Sequence, residues 1–397
     1  MKKIILITII ILLIGLSGYK LYQEYRIKHA KIKVDLIDNL DIEVYSDIKL
    51  KDLIKNINGK IIKNKAINTK KLGKKEIKFK YINEENIKVN YTFEINIVDN
   101  TKPLIKGPNN ITLYQNSNVD INKKFTCGDN YDDEPICEIK GTYDKNKIGS
   151  YYLQYIAKDN SKNENKQDII LNIIENKDTK SNISEENTNT YFQDIIKKYK
   201  ENNNKIGIDV SKWQGDIDFK KLKKEKVEFA FIRVGVQTEI NGEYYLDTKF
   251  KQNIEGFNKE KIPVGVYFYS KATSKKEAKN QAQWIIKQIK KYKIDLPIVF
   301  DWEKWDNYRN YNISFFHLSQ MYKEFEKEIN KKEYESMLYS SKNYLEKVWY
   351  TKDKNIWLAH YTDKTNYKGK YKVWQICDDG IIDGIEDKHV DIDIMYE

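Results

Sequence analysis

The chain of 397 residues is long enough for two or three domains, and its 40% hydrophobic and 13% aromatic residues exclude a wholly disordered protein. Only 5 Pro and 17 Gly exclude collagen-like and low-complexity classes, and three Cys exclude a disulfide-dense scaffold and a multi-cysteine zinc protein. The formal net charge of +11 is spread as lysine along the whole length, which favours a surface that faces a polyanion and not a DNA groove.

The sequence carries no pattern that is typical of a cofactor or metal site. Its four His are scattered without ligand spacing, and no glycine-rich nucleotide-binding motif occurs. We therefore expect no metal, no cofactor, no nucleotide and no nucleic-acid partner.

The first 25 residues predict a segment that directs the chain out of the cytoplasm. Met1-Lys2-Lys3 precedes an apolar run from Ile4 to Gly18, as in a secretory signal or an uncleaved signal anchor. No A-x-A cleavage site follows the run. We expect residues 1–25 to stay as a membrane anchor with the rest of the chain outside the cytoplasm. The alternatives are a cleaved signal peptide with a secreted product, and a buried core helix.

Residues 31–175 predict two tandem β modules, one at 31–100 and one at 101–175. Apolar and polar residues alternate with period 2, which indicates short strands with one buried face. Gly149 follows Gly73 by 76 residues, and apolar residues recur at the same offsets after each glycine. Short strands in a repeat of this length favour two all-β sandwich modules.

The second module resembles the Ig-like repeats of bacterial surface proteins. Three stretches carry the resemblance: Asp99-Asn100-Thr101-Lys102-Pro103, Gly149-Ser150-Tyr151-Tyr152-Leu153-Gln154-Tyr155 and Asp159-Asn160-Ser161-Lys162-Asn163. The first module departs further from that pattern. The resemblance implies spacer or adhesive units, and we expect Ig-like spacers without a ligand.

Two of the three cysteines lie close together in the second module. Cys127 and Cys137 are ten residues apart, a separation that permits a disulfide outside the cell without establishing one. We predict this bridge, and we expect it to have little effect on the C-terminal domain because it lies in a separate module. Cys377 lies in an apolar run and is predicted to be a core thiol.

The pattern changes after residues 176–204, which are polar and predict a flexible linker that ends in a short helix. From residue 205 to 397, strand-like runs alternate with helical patterns, one of them opened by the capping box Ser274-Lys275-Lys276-Glu277. This alternation predicts an α/β domain with a parallel sheet, and eight strands are enough for a small barrel. The strand-like runs are 206–210, 229–236, 262–269, 296–302, 337–340, 356–361, 373–377 and 390–394.

Two acids end the most apolar of these runs, in Phe300-Asp301-Trp302-Glu303. Side chains two residues apart on a strand share a face and lie about 6.6 Å apart along the chain. Asp301 and Glu303 are therefore expected to face one spot at the carboxyl end of a strand, where the sites of parallel α/β folds lie. Two adjacent carboxylates cannot both ionise cheaply, so one gains the raised pKa that a proton donor in glycoside hydrolysis requires.

The other strand ends add polar and aromatic groups that suit a polysaccharide. Aspartates occur at the ends of the first and last runs, Asp209 and Asp391. The remaining candidates for substrate binding are Arg233, Tyr267, Tyr269, Tyr339, Trp357, Tyr361 and Gln375. Rings pack on sugar faces and carboxylates bond to hydroxyls, although core packing is the more frequent role of a single Trp or Tyr.

Residues 205–397 resemble family 25 glycoside hydrolases, the Chalaropsis-type lysozymes. The resemblance extends in order over the whole segment. Its stretches are Asp209-Val210-Ser211-Lys212-Trp213-Gln214-Gly215-Asp216-Ile217-Asp218, Phe231-Ile232-Arg233-Val234-Gly235, Gly265-Val266-Tyr267-Phe268-Tyr269, Asp301-Trp302-Glu303, Trp357-Leu358-Ala359-His360-Tyr361, Trp374-Gln375 and Val390-Asp391.

The resemblance implies a flattened, TIM-like β/α barrel. It also implies an N-acetylmuramidase that cleaves the β-1,4 bond between N-acetylmuramic acid and N-acetylglucosamine in peptidoglycan. Carried over residue by residue, the acid/base role falls on Glu303 and the partner carboxylate on Asp301, while Asp209 and Asp391 match the aspartates of the first and last strands. Asp393 departs from the family pattern, which usually has Asn there.

Two questions stay open at the level of sequence. Asp301 either orients the substrate's own N-acetyl group, activates water or attacks directly, and residue spacing does not choose among these. The alternative to an enzyme is a non-catalytic barrel that binds cell-wall glycan, which would be expected to have lost one of the two acids.

Overall fold

The computed structural model describes residues 2–175, 189–238, 242–303, 308, 310–386 and 388–397, with side chains from residue 11 onward. The chain forms two compact units, residues Met1–Asn100 and Thr101–Glu397. Most of the predicted linker, residues 176–188, lies outside the described residues.

The first unit begins with helix α1, Lys2–Lys28. The side chains of residues 1–10 in the predicted membrane segment lie outside the described part of the structure. In the remainder of the helix, Ile11, Leu13 and Leu16 are each more than half exposed. Among the described residues, no helix combines the length and the apolar content needed to cross a membrane.

The rest of the first unit is a small β module. Its long antiparallel hairpin, β5 and β6, buries Ile77, Phe79 and Tyr81 and exposes the lysines between them, as the alternation predicts. One sheet has the order β2-β6-β5-β4, and β1 pairs with β3. The strands are β1 (Val34–Leu36), β2 (Asp41–Glu43), β3 (Ile54–Ile57), β4 (Gly59–Ile61), β5 (Gly73–Asn83) and β6 (Lys88–Val98).

The second unit begins with a β module of the same topology, in which β8-β12-β11-β10 form one sheet and β7 pairs with β9. The sheet order of the first module recurs strand for strand, so the two modules share one topology. Phe125 and Tyr155 stack at 4.7 Å in its core, and Cys127 and Cys137 form a disulfide. The strands are β7 (Leu104–Lys106), β8 (Asn110–Tyr114), β9 (Thr126–Gly128), β10 (Ile136–Lys140), β11 (Gly149–Lys158) and β12 (Glu164–Ile174).

The remainder of the second unit is a closed barrel surrounded by helices. The helices are α2 (Phe192–Tyr199), α3 (Phe219–Lys224), α4 (Phe250–Lys259), α5 (Lys275–Ile289), α6 (Phe315–Asn330) and α7 (Lys342–Lys347). The strands are β13 (Thr190–Tyr191), β14 (Asn204–Val210), β15 (Ala230–Gln237), β16 (Tyr244–Leu246), β17 (Val264–Ser270), β18 (Ile298–Trp302), β19 (Ser336–Ser341), β20 (Ile356–Ala359), β21 (Val373–Ile381) and β22 (Val390–Tyr396).

In the described part of the chain, the barrel follows the order β21-β20-β19-β18-β17-β15-β14-β22, and pairing of β22 with β21 closes it. Neighbours from β14 to β21 are parallel, as predicted, but β22 is antiparallel to both of its neighbours. The physical reason is the short connection from Ile381 to Val390, since a parallel return needs a crossover of a dozen residues or more.

The barrel domain begins earlier than the predicted boundary at residue 205. Strand β13 pairs with β21, and helix α2 buries Phe192 and Ile195 against the apolar layer between sheet and helices. Residues 190–204 are therefore part of the domain and not of a linker.

Alternate residues of the strands serve two cores. On β18, Ile298, Phe300 and Trp302 face the helices, whereas Val299 packs inside the barrel beside Phe231 and Trp357. Because both faces of these strands are buried, their sequences are nearly continuous runs of apolar residues. The alternation also places Asp301 on the inner face, directly above Val299.

The second module is packed on the barrel domain, which the spacer prediction did not anticipate. The backbone N–H of Phe315, at the start of α6, donates to the Asp129 carbonyl at 2.8 Å. The carboxylate of Asp133 accepts from the N–H of Ser314 at 2.6 Å. The module that holds the disulfide thus contacts the domain that the sequence predicted to be independent of it.

Candidate active site

A cavity of about 290 Å³ opens at the carboxyl ends of the parallel barrel strands. Ten of the eleven residues predicted for catalysis and substrate binding line it: Asp209, Arg233, Tyr267, Tyr269, Asp301, Glu303, Tyr339, Trp357, Gln375 and Asp391. The eleventh, Tyr361, lies beside the cavity and donates to the Gln375 side chain at 3.0 Å. The period of the strands brings these groups together because each inward residue at a strand end faces the barrel axis.

Asp301 lies on the inner face of β18, and Glu303 comes directly after Trp302, the last residue of the strand, whose side chain packs against the helices. Asp301 is buried, and its Oδ1 has no hydrogen-bond partner among the described residues. Burial raises the pKa of Asp301 well above its ordinary value, and the neighbouring Glu303 and Asp209 raise it further. Burial and the unpartnered oxygen both favour the protonated form of this acid.

Glu303 lies at the mouth of the cavity, where its side chain reaches solvent. Partial removal from water by the cavity walls raises its pKa, and a hydrogen bond with Tyr339 opposes that shift. The two acids therefore have different surroundings, a deep one and an exposed one. Glu303 can exchange a proton with solvent between turnovers, whereas Asp301 is shielded.

The Gln375 amide joins the aspartates of the first and last strands. Its Nε2 donates to Asp209 at 2.8 Å and to Asp391 at 3.1 Å, and its Oε1 accepts from Tyr339 at 2.8 Å. Burial raises the pKa of Asp391 to about 9, and the negative charge of the nearby Asp209 contributes to the same increase. This network fixes two carboxyl groups in one wall of the cavity, where they can accept from sugar hydroxyls.

Trp357 and Asp393 form the floor beneath that network. The indole N–H of Trp357 donates to Asp393 Oδ1 at 2.8 Å, and both side chains are almost fully buried. Trp357 stacks on Phe231 at 4.5 Å inside the barrel. Trp357 is therefore mainly a core residue whose edge reaches the cavity, and core packing is the more frequent role of a single Trp.

Arg233 is held by an acid that the sequence analysis did not single out. Its Nε and its terminal nitrogen both lie 2.7 Å from Oδ2 of Asp247, whose side chain is 1% exposed. Asp247 also accepts from the backbone N–H groups of Lys212 and Lys249. Asp247 lies in the turn just before α4. An Asp in a turn commonly accepts from the backbone N–H of the residue two positions later, as Asp247 does from Lys249. Its pairing with Arg233 could not be predicted from that local pattern.

The rim adds residues that were noted only as part of a motif. Ser211, Trp213 and Gln214 line the cavity, and the Trp213 side chain is 66% exposed. Ser211 caps a short 3-10 turn by accepting from the Trp213 N–H at 3.2 Å. The turn presents the indole to solvent at the edge of the site, and this exposure was not visible in the sequence.

The acids of the cavity are not arranged as a metal centre. Within the described parts of the chain they do not form a group of three whose ligand oxygens lie within 4.8 Å of one another. Their chemistry is that of hydrogen-bonded, partly protonated carboxyl groups beside aromatic rings.

Residues 208–385 match the model of glycosyl hydrolases family 25. The match covers the strands that carry Asp209, Asp301 and Glu303, and it ends before Asp391. The autolytic lysozyme of Clostridium acetobutylicum is 26% identical over 182 residues, which are 45% of this chain and 52% of that protein. The uncharacterized protein YegX of Escherichia coli K12 is 29% identical over 188 residues, 45% of this chain and 65% of that protein. The chain thus spans about half to two thirds of the length of these relatives.

Solved structures of family 25 proteins are also similar to this chain. A family 25 glycosyl hydrolase from Bacillus anthracis shares 26% identity, with a TM-score of 0.41, over 50% of this chain and 92% of that one. The modular autolysin LytC of Streptococcus pneumoniae, solved with a synthetic peptidoglycan ligand, shares 22% identity, with a TM-score of 0.43, over 61% of this chain and 56% of that one.

Proposed function

We propose that the barrel domain is an N-acetylmuramidase that hydrolyses the β-1,4 bond between N-acetylmuramic acid and N-acetylglucosamine in peptidoglycan. The observation that carries the proposal is the pair Asp301 and Glu303, two acids with raised pKa values at the carboxyl end of one barrel strand. The match of residues 208–385 to a glycosidase family supports it.

Glu303 serves as the general acid. Its raised pKa keeps a larger share of the carboxyl protonated at neutral pH than an ordinary Glu would have. In the first step the proton passes to the glycosidic oxygen, the bond from that oxygen to the anomeric carbon breaks, and the leaving sugar departs as an alcohol. The oxygen of a water molecule then forms the new bond to the anomeric carbon. The Glu303 carboxylate accepts the proton that this water loses, which restores the acid.

Asp301 is the partner carboxyl that faces the positive charge developing on the sugar ring. Asp301 lines the cavity, and its buried Oδ1 has no hydrogen-bond donor among the described residues. Positive charge on the sugar ring favours the ionised form of Asp301, so the attraction between this carboxylate and the ring strengthens in the transition state. An interaction of that kind lowers the barrier without tightening ground-state binding.

The remaining groups hold the glycan strand. Tyr269 and Tyr339 line the cavity, and Tyr361 and Trp213 are exposed beside it, so rings are available on both sides of the acids. Asp209 and Asp391 are fixed by Gln375 as hydroxyl acceptors. This combination of rings and acceptors suits a polysaccharide.

We also propose that the domain acts outside the cytoplasm, attached to the cell membrane or secreted, and that the two β modules are Ig-like. The charged start and apolar run of residues 1–18 support the first proposal. The shared sandwich topology of the two modules supports the second. Fractionation of cells that express the full chain, with carbonate-washed membranes and medium probed separately, distinguishes attachment from secretion, and recovery in the cytosol contradicts both.

The test of the proposed activity is digestion of purified cell-wall sacculi by the full-length protein. We expect loss of turbidity and soluble fragments whose new reducing end is N-acetylmuramic acid, identified by reduction and mass spectrometry. A new reducing end on N-acetylglucosamine would contradict the bond assignment. Pull-down with sacculi but no soluble fragments would favour the alternative, a glycan-binding barrel without catalysis.

A further inference from the structure

In the described structure, the second β module contacts the barrel domain at two places. One is Lys106, whose ammonium group donates to the Tyr344 hydroxyl of α7. The other is the loop of residues 128–135, which we call the docking loop. The disulfide between Cys127 and Cys137 joins the two strands that flank this loop. The loop lies against the start of α6 and against Tyr308, in the segment that leads from catalytic strand β18 to that helix.

The docking loop supplies the acceptors that the first turn of α6 lacks. The first N–H groups of a helix have no partner within it. Here the N–H of Phe315 donates to the Asp129 carbonyl at 2.8 Å and that of Phe316 to the Asn130 carbonyl at 3.3 Å. Asp133 Oδ1 accepts from the Ser314 N–H at 2.6 Å and lies 2.7 Å from His317 Nδ1. The helix start is thus fixed by the module.

Gly128 gives the closest approach between the two parts. A Cβ at this position would lie 2.5 Å from Cε1 of Tyr308 and 2.6 Å from Cε1 of Phe315, so only glycine fits the observed packing. Tyr308 is 3% exposed, and its hydroxyl donates to the Ile313 carbonyl. The ring is therefore enclosed between the module and the segment it belongs to.

Tyr308 carries this contact to the catalytic strand. Its ring packs edge-on against Trp302 at 6.1 Å, and Trp302 is fully buried with its indole N–H bonded to the Ala272 carbonyl at 2.9 Å. Trp302 lies between the two catalytic acids in the chain, so a shift of its ring moves the backbone that carries Asp301 and Glu303. Packed interiors transmit such shifts because they contain little free volume.

We propose that the second module is a working part of the active site: its disulfide-closed docking loop sets the position of Tyr308, and through Trp302 the position of Asp301 and Glu303. Gly128, Asp133 and Tyr308 are positioning residues, since none of them reaches the cavity. This proposal rests on the proposed glycosidase function and goes beyond it, because it assigns part of the active-site geometry to a domain outside the family match.

A double-mutant cycle on the full-length protein tests the route of the coupling. We expect Gly128→Val to lower kcat on soluble, uncrosslinked glycan strands about 10- to 100-fold with KM nearly unchanged, since small misplacements of catalytic groups have effects of this size. In a Tyr308→Ala background the same valine is expected to cost less than about threefold, because the ring it displaces is gone. If Gly128→Val lowers kcat by the same factor with and without the Tyr308 ring, the proposal is overturned.

Asp133 provides a milder variant should the valine hinder folding. Asp133→Ala is expected to lower kcat about 5- to 10-fold, and Asp133→Asn, which keeps an acceptor for the Ser314 N–H, is expected to recover most of it. The matched control is Glu138→Ala, an exposed acid of the same module whose ion pair with Lys140 is remote from α6. Equal kcat for wild type and Asp133→Ala would contradict the proposal.

Failure of the two ideas is separable. If the wild-type chain releases no fragments from sacculi, the proposed function fails irrespective of the module. The other case is an active wild type and two variants, Gly128→Val and Asp133→Ala, that thermal unfolding shows to be folded. If both variants then have the kcat of the wild type, the proposed function stands and the positioning role is wrong.

Discussion

The indole of Trp357 donates to Asp393 across the barrel, from β20 to β22, and leaves the second oxygen of Asp393 without a donor among the described residues. Burial raises the pKa of Asp393 well above its ordinary value, and the neighbouring Asp391 raises it further. In the unfolded chain the same carboxyl ionises near pH 4. The folded protein therefore binds an additional proton here, and its stability falls as the pH rises from about 4 towards the folded pKa.

Asp393→Asn is expected to remove this cost. The amide keeps the acceptor for Trp357, and it can donate to Asp209, which lies within hydrogen-bonding reach. We expect the free energy of unfolding at pH 7 to rise by about 1–3 kcal/mol, the usual cost of an unsatisfied buried polar group, with hydrolysis retained. Urea unfolding at pH 5 and pH 7 measures it: the gain should be larger at pH 7, and a variant less stable than wild type at pH 7 contradicts the argument.

Glu303→Gln is expected to lower kcat about 10²- to 10⁴-fold, because the amide cannot donate the proton that the leaving oxygen needs. Binding to sacculi and the thermal midpoint should stay near the wild-type values, since Glu303 lies at the open mouth of the cavity. Asp301→Asn should be similarly impaired. Near wild-type lysis by Glu303→Gln would place the acid elsewhere.

Tyr339→Phe is expected to move the alkaline limb of the pH profile. The hydrogen bond from Tyr339 favours ionised Glu303 and so lowers its pKa, and its removal raises that pKa. Activity requires protonated Glu303, so the loss of kcat/KM on the alkaline side should occur at higher pH than in the wild type. Tyr244→Phe is the control, because its hydroxyl donates to the Glu277 carbonyl and its side chain does not line the cavity. A shift to lower pH in Tyr339→Phe contradicts the assignment.

Asp247→Ala is expected to destabilise the domain by about 3–5 kcal/mol, because it leaves the guanidinium of Arg233 buried without its partner. Arg233 is 12% and Asp247 1% exposed in their side chains, unlike the exposed pair of Lys74 and Glu94. Glu94→Ala serves as the control and should change stability by less than about 1 kcal/mol. Denaturant titration of both variants measures the contrast, and equal effects would show that the buried pair has no special role.

Disulfide reduction is expected to affect catalysis, in contrast to the small effect predicted from the sequence. The bridge between Cys127 and Cys137 closes the loop that contacts α6, so opening it loosens the helix start. We expect Cys127→Ala/Cys137→Ala to reduce kcat several-fold at unchanged KM, and Cys377→Ala to leave sensitivity to reductant as in the wild type. Unchanged kcat in the double variant would restore the original expectation.

The shared position of Asp301 and Glu303 at the cavity could be predicted because it depends on local periodicity. Asp301 and Glu303 are two residues apart on an apolar strand, and the period of a strand alone puts them on one face. The same reasoning located the repeat of the two modules. Two features that depend on distant parts of the chain could not be predicted in this way. The partner of Arg233 is in a turn before α4, and β22 reverses direction because of a short connection.

The contact of Asp133 with Ser314 is the clearest case of this limit. The two residues are 181 positions apart, and each looks ordinary in its own segment. Asp133 lies in an acidic turn and Ser314 is a helix N-cap, roles that local rules assign without any long-range partner. Only the packing of the module on the barrel pairs them.

Strand β13 and helix α2 define where the barrel domain can be separated from the rest of the chain. A fragment that begins at residue 205, or at the family boundary of residue 208, would leave uncovered the apolar patch on which Phe192 and Ile195 lie. Such a fragment would expose an apolar patch and an unpaired sheet edge beside β21, and both features promote self-association. Exchange of this barrel between proteins, in the laboratory or in evolution, should therefore carry the segment from residue 189 along with it.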